Sequence, residues 1–439
     1  MRRRSLGVLV FVFFASMLLS SRAAAQKIVV IQAGKLFDGT SDRLLNNQVI
    51  VVQDERIVEV GPAGSVKIPA GAAEIDLRKA TVVPGLIDSH THILMGRKPG
   101  AVGPPGWGER ILLTDSWQYR TIGAVVSAKK DLDTGFTSIR DCGSLGAMYS
   151  DTDLRRAINE GLVPGPRMQV ATLPISGTGW LPEAGLSPEI NAPSAFTAAD
   201  SPWEGRKAVR ENIKYGADLI KIFPGGTGSY FTPEGKLVVP ATMTLEELRA
   251  IADEAHRHGA KAACHAYGGQ ALKDSVDAGC DSIELGADFD DELAQKMAER
   301  HIVADMTLAH TKYWEASDLK ATQGKYTRVA LQKASLPRLL KAGVTITFGT
   351  DAGAGPDHGY EADEFKYLVD YGMTPAQSLH AATSVAAALL GWQDRVGTIE
   401  KGKYADIVAV SGNPFEDITE MTRVKFVMKG GEVVRNDFK

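Results

Sequence analysis

Short, mostly apolar β-branched runs stand at both ends of the chain. Lys27–Ile31, Gln48–Val52 and Arg56–Val60 lie near the start, separated by Gly, Asn and Asp. Ala405–Val410, Val424–Met428 and Glu432–Val434 follow Gly-rich turns near the end. Two terminal β segments around a long middle predict one small sheet domain, residues 26–84 and 395–439. In the middle, apolar strands alternate with stretches that can hold helices. The strands are Val82–Ile87, Thr137–Ile139, Met168–Thr172, Leu219–Phe223, Ala262–His265, Ser282–Leu285, Ile302–Met306 and Val344–Phe348. One intervening helix runs through Thr244–Ala252 at helical spacing and is ended by Gly259. Eight strands alternating with helices predict an α/β fold. It is read as a (β/α)8 TIM barrel over residues 85–394, with a small β-sandwich domain formed from both chain ends. An open doubly wound sheet is the alternative, disfavoured because no glycine-rich phosphate loop follows the first strand.

Composition narrows the function classes. A chain of 439 residues, 44% hydrophobic and 23% charged, can bury one large core and a smaller one. A net charge of −4 without clustered Lys and Arg argues against a nucleic-acid partner. The basic block Arg2-Arg3-Arg4 precedes an apolar run from Leu6 to about Ser20 and then Ala23-Ala24-Ala25. That order reads as a signal peptide over residues 1–25, so the mature chain is expected to be periplasmic or secreted, with no stable membrane span after cleavage. An uncleaved anchor is the alternative. Cys142, Cys264 and Cys280 are too few and scattered for a disulfide framework, although export permits a bridge. Cys264 is expected to be a small buried hydrophobe rather than a ligand. The composition leaves a homo-oligomer open.

Candidate chemistry gathers where apolar runs end. His90 and His92 occupy alternate positions, so on a strand they point to one side and can share an ion. Alone, a His-x-His pair is often surface or satisfied core. Lys221 sits in the run Leu219–Phe223, where burying an ammonium is costly, and a neutral amine there can take up carbon dioxide as a carbamate bridging two ions. The bland alternative is a lysine reaching out at the strand end. His265 ends the fifth strand and can add an imidazole. Asp351 ends the eighth and can hold an ion while taking a proton from water. Taken singly, His265 is ordinary core and Asp351 a turn or helix cap. His358 follows on the next loop, as a substrate contact or an exposed histidine. Arg140-Asp141 reads as a structural ion pair. Two insertions, residues 96–117 and 176–204, would roof this end, with Trp107, Trp117 and Trp180 as pocket walls or as loop packing.

The set Pro84-Gly85-Leu86-Ile87-Asp88-Ser89-His90-Thr91-His92, Lys221, His265-Ala266-Tyr267-Gly268, Gly349-Thr350-Asp351-Ala352-Gly353 and Gly397–Asp406 resembles the metal-dependent amidohydrolase superfamily. It is most similar to the branch of imidazolonepropionase-like proteins, Xaa-Pro-type dipeptidases and ochratoxin-hydrolysing amidases. The resemblance covers essentially the whole mature chain. It implies one or two divalent ions, with zinc expected. One lies at His90, His92 and Asp351, and a second is shared through carboxylated Lys221 and held by His265. It implies a small-molecule amide or peptide substrate cleaved by metal-activated hydroxide, with Asp351 catalytic. Tyr267 resembles a residue that contacts a substrate carboxylate, and Trp180 stands near a Gly-Gly-His element of the branch, hinting at an apolar group in the pocket. Leu285 departs from the pattern, because the branch carries Ile-Glu-His-Gly where this chain has Ile283-Glu284-Leu285-Gly286. Leu285 cannot coordinate, and Glu284 is expected to face the other side of its strand. Two other readings therefore stand: a cyclic-amide hydrolase of imidazolonepropionase type, and a catalytically impaired, metal-poor binding protein.

Overall fold

The computed structural model describes residues 27–95, 107–179, 187, 189, 194–225 and 228–438. The signal segment and the side chain of Trp107 lie outside them, as do residues 96–106 of the first insertion and 180–186, 188 and 190–193 of the second, Trp180 among them.

Strands from both chain ends form one seven-stranded sheet. Its order is Glu432–Asn436, Phe426–Lys429, Ile407–Val410, Ala73–Pro84, Ile28–Leu36, Leu45–Gln53 and Arg56–Pro62. Alternation sorts its side chains, with Val29, Ile31 and Ala33 sharing an apolar cluster with Ile407, Ala409 and Phe426, while Val30 meets Val49 and Val51 on the other face.

The chain leaves this sheet at Gly85. An added Cβ there would stand 2.1 Å from Thr137 Oγ1 and 2.9 Å from Asp406 Cβ, so only glycine fits. The apolar run Val82–Ile87 is therefore two strands. Val82, Val83 and Pro84 stay paired with Ala409, Val408 and Ile407, and the first barrel strand is Leu86–Thr91.

The other seven barrel strands are Phe136–Asp141, Arg167–Val170, Leu219–Phe223, Lys261–His265, Ser282–Glu284, Val303–Asp305 and Ile346–Thr347. Neighbours within each run pair in parallel. The Asp218 amide donates to the Val170 carbonyl at 2.8 Å, and the Ser89 amide to the Phe348 carbonyl at 2.8 Å, joining the runs into a ring. Helices cover the outside between successive strands, among them Trp117–Asp133, Pro202–Lys214 and Leu245–Arg257. The last is started by a capping box in which Thr244 and Glu247 satisfy each other's backbone amides. The fold is a (β/α)8 barrel beside a β-rich domain drawn from both termini.

Cys264 is bonded to Cys280, with Cα atoms 6.1 Å apart. Cys264 is buried as expected, and its sulfur is engaged in the bridge that export left open. The fifth and sixth strands are parallel neighbours with Ala263 beside Ser282, so Cys280, two residues before the sixth strand, lies beside the start of the fifth. Cys142 remains a buried thiol.

Candidate metal centre

Four non-glycine residues with left-handed backbone stand just past the ends of barrel strands. Thr172 (φ 63°), Leu285 (φ 61°), Thr307 (φ 41°) and Asp351 (φ 60°) follow the third, sixth, seventh and eighth strands. Such conformations cost roughly 1–3 kcal/mol each and concentrate at functional sites. They turn the chain sharply at the mouth of the barrel.

His90 and Asp351 meet because the first and eighth strands are stitched together there. The Asp351 amide donates to the His90 carbonyl at 2.7 Å. Asp88 accepts from the His90 amide at 2.9 Å and from Thr350 Oγ1 at 2.5 Å. Both imidazoles then turn the same nitrogen toward the carboxylate, with Nε2 of His92 and His90 at 3.2 and 3.7 Å from Asp351 Oδ1.

The opposite nitrogens are committed elsewhere. His90 Nδ1 is 2.8 Å from Glu284 Oε2, and His92 Nδ1 is 2.9 Å from the Gly143 carbonyl. Glu284 is ionised: burial opposes its charge, but the Arg140 guanidinium at 2.7 Å and the bond to His90 hold it well below the usual carboxylate range. A carboxylate and a carbonyl only accept, so each Nδ1 carries the proton and each Nε2 presents a lone pair. Burial also keeps both rings neutral, with His92 pushed down to about 3. Asp351, despite a burial that would raise it, is held well below its ordinary value by His310, His90 and His92. Two lone pairs and a carboxylate oxygen thus face one another in a buried space, and Asp351 Oδ1 has no hydrogen-bond partner among the described residues. Three acceptors converge stably only around a cation. The donor set, with each histidine fixed from behind by an acceptor, fits a divalent ion such as zinc.

Lys221 is wholly buried, with Nζ 3.1 Å from His90 Nε2. His265, on the next strand, has its ring between Phe223 and Tyr267, with centroids 4.7 and 4.8 Å away. The pKa of His265 is driven well below its ordinary value by burial and then by Lys221, which places the two in one field. Five expected residues, His90, His92, Lys221, His265 and Asp351, are therefore gathered at one end of the barrel, and Tyr267 is beside them.

Other expectations are corrected. His358 is 3% exposed rather than displayed on a loop. Its Nδ1 is 3.0 Å from Asp131 and its Nε2 3.4 Å from the His92 carbonyl, so both ring nitrogens are spent on protein. Arg140 does not pair with Asp141, because adjacent strand residues face opposite ways. It reaches Glu284, while Asp141 accepts from the Ile93 amide at 2.7 Å. Trp117 is 45% exposed at a helix start. Leu285 is buried against Leu237, Val239 and Tyr267 and supplies no donor.

Two contributors escaped the sequence reading. Glu284 supports His90 from inside the barrel, and His310 Nδ1 lies 2.8 Å from Asp351 Oδ2. Glu284 was visible in the motif, but its role depends on which side chain stands opposite. His310 belongs to no motif.

Fold and site together define a barrel hydrolase with a buried histidine-carboxylate centre. The chain belongs to the Amidohydrolase family, whose sequence profile matches residues 81–434, and it is a hydrolase acting on amide bonds. Ochratoxinase of Aspergillus niger is 28% identical, over 93% of this chain and 87% of its own. Imidazolonepropionase of Geobacillus kaustophilus is 24% identical, over 90% and 92%. Among solved structures, a Xaa-Pro dipeptidase with methionine bound in its active site superposes with a TM-score of 0.81 at 31% identity, over 93% of this chain and all of that one.

Proposed function

We propose that this chain is an exported, zinc-dependent amidohydrolase that cleaves the amide of an N-acyl amino acid or dipeptide-like substrate. The observation that carries the reading is the convergence of His90 Nε2, His92 Nε2 and Asp351 Oδ1. His90, His92 and Asp351 would hold one ion, and Lys221 as its carbamate, with His265, a second. A bound ion supplies a Lewis acid and lowers the pKa of water toward neutrality. Asp351 accepts the proton of the attacking water and returns it to the departing nitrogen. Glu284 and the Gly143 carbonyl keep His90 and His92 in the tautomer that presents Nε2. The names of the relatives, ochratoxinase and Xaa-Pro dipeptidase, support an amide carrying an amino acid. The Cys264–Cys280 bridge and the basic-apolar start support export.

Leu285 favours a second reading in part, because without a sixth-strand imidazole a second ion would have fewer donors and would be held more weakly. The test is amine release from a panel of N-acyl amino acids and dipeptides, comparing the zinc-loaded protein with Leu285→His. Turnover by both establishes the reduced ligand set as sufficient. Turnover only by the variant supports the metal-poor reading, and turnover by neither removes the proposal.

A further inference from the structure

His310 is a third imidazole on Asp351, and no step above uses it. It is the third residue of the helix Leu308–Ala321, which starts directly behind the seventh strand. The turn that delivers it is locked: Glu364 accepts from the Leu308 and Ala309 amides at 3.0 and 2.6 Å. The ring stands against Gly355, where an added Cβ would lie 2.8 Å from His310 Nδ1 and 2.9 Å from its Cα. Space for the imidazole therefore exists because residue 355 has no side chain.

Both ring nitrogens are directed. Nδ1 lies 2.8 Å from Asp351 Oδ2, within ion-pair reach, and makes no aligned hydrogen bond among the described residues. Nε2 lies 3.3 Å from the Tyr267 hydroxyl. The two oxygens of Asp351 are thus divided, Oδ1 toward His90 and His92 and Oδ2 toward His310. A carboxylate gripped at one oxygen cannot rotate the other away.

We propose that His310 is a positioning residue for Asp351. It holds Oδ2 so that Oδ1 stays turned on the His90 and His92 nitrogens, and through that grip it sets both zinc affinity and the rate of proton return. Tyr267 orients the His310 ring from the far side. The second half of the inference rests on the functional reading above, in which Asp351 carries the proton. The first half rests on geometry alone.

The experiment compares His310→Ala and His310→Asn with the wild type, reading zinc affinity by chelator competition, zinc stoichiometry, and kcat and KM on whichever panel amide the wild type cleaves. Loss of a partner behind a metal ligand typically weakens metal binding about 10–100-fold, and that loss is expected for His310→Ala with stoichiometry unchanged. Its kcat should fall by about tenfold or more while KM moves little, because the lost interaction serves the transition state. Asn places an amide nitrogen near the Nδ1 position, so His310→Asn should recover much of both. Gly355→Ala, which crowds the ring away without changing its chemistry, should reproduce the alanine phenotype. Zinc affinity within about threefold of wild type in His310→Ala, well short of the expected loss, overturns the proposal. Loss of a whole equivalent of zinc also overturns it, since His310 would then be a ligand. If the wild type cleaves no amide, the functional reading fails and the zinc comparison still decides the role of His310.

Discussion

Glu284→Gln tests the support behind His90 at nearly constant volume. Glu284 faces only donors: His90 Nδ1 at 2.8 Å on one oxygen, and Arg140 at 2.7 Å with Ser282 Oγ at 2.5 Å on the other. Glutamine has one acceptor end and one donor end, so one of these sides must meet donor with donor. Arg140 is also left with Asp305, 3.8 Å away, as its nearest carboxylate. Removing one member of a wholly buried ion pair costs about 3–5 kcal/mol, mostly through the charge left behind. If the amide NH2 turns to His90 instead, Nδ1 must accept, the ring proton moves to Nε2, and the lone pair offered to the ion is lost. Zinc affinity should then drop about 10–100-fold, or about 1.4–2.8 kcal/mol. Urea unfolding of the EDTA-treated protein reads the first cost, and chelator competition on the folded protein reads the second. A stability loss below about 1 kcal/mol together with unchanged zinc affinity would refute the account of Glu284 as a charged support.

Asp351→Asn should lower kcat by at least about 10²–10⁴-fold, the usual worth of a positioned acid-base group, with an unchanged far-ultraviolet circular dichroism spectrum; ready turnover by the variant removes Asp351 from the proton step. The Cys264–Cys280 bridge closes a loop with a sequence separation of 16, worth about 3 kcal/mol. Replacing both cysteines by alanine should lower the urea midpoint accordingly, and equal midpoints would refute it. Asp131 is pushed up to about 7 by burial from an ordinary 3.8. The folded chain then keeps a proton that the unfolded chain releases, so its contribution to stability is full below about pH 4 and is lost as pH rises to about 7, at up to about 1.4 kcal/mol per unit. Asp131→Asn in EDTA-treated protein should flatten that fall, and a slope identical to wild type would contradict the assignment.

The sequence by itself determined the barrel and the first row of the centre. Buried parallel strands read as apolar runs between turn residues, and their C-terminal ends carry the polar side chains. His90, His92, Lys221, His265 and Asp351 were therefore legible one strand end at a time. The strand boundary at Val82–Ile87 was not, because an apolar run that passes from one sheet to another keeps the same pattern. Only the approach of Thr137 and Asp406 to Gly85 marks the change.

Tertiary structure alone decided what lies behind the first row. Whether Glu284 stands behind His90 depends on which strand lies across the barrel, and His90 is 194 residues away in sequence. His310 reaches Asp351 because a locked turn and the missing side chain of Gly355 admit it, and neither leaves a periodic trace. His358 was misjudged for the same reason, since burial under the His92 carbonyl is a property of the packed loop and not of its residues. Local pattern encodes which face of an element is apolar. Which groups meet across the barrel is set by closure of the ring, a long-range event with no local signature.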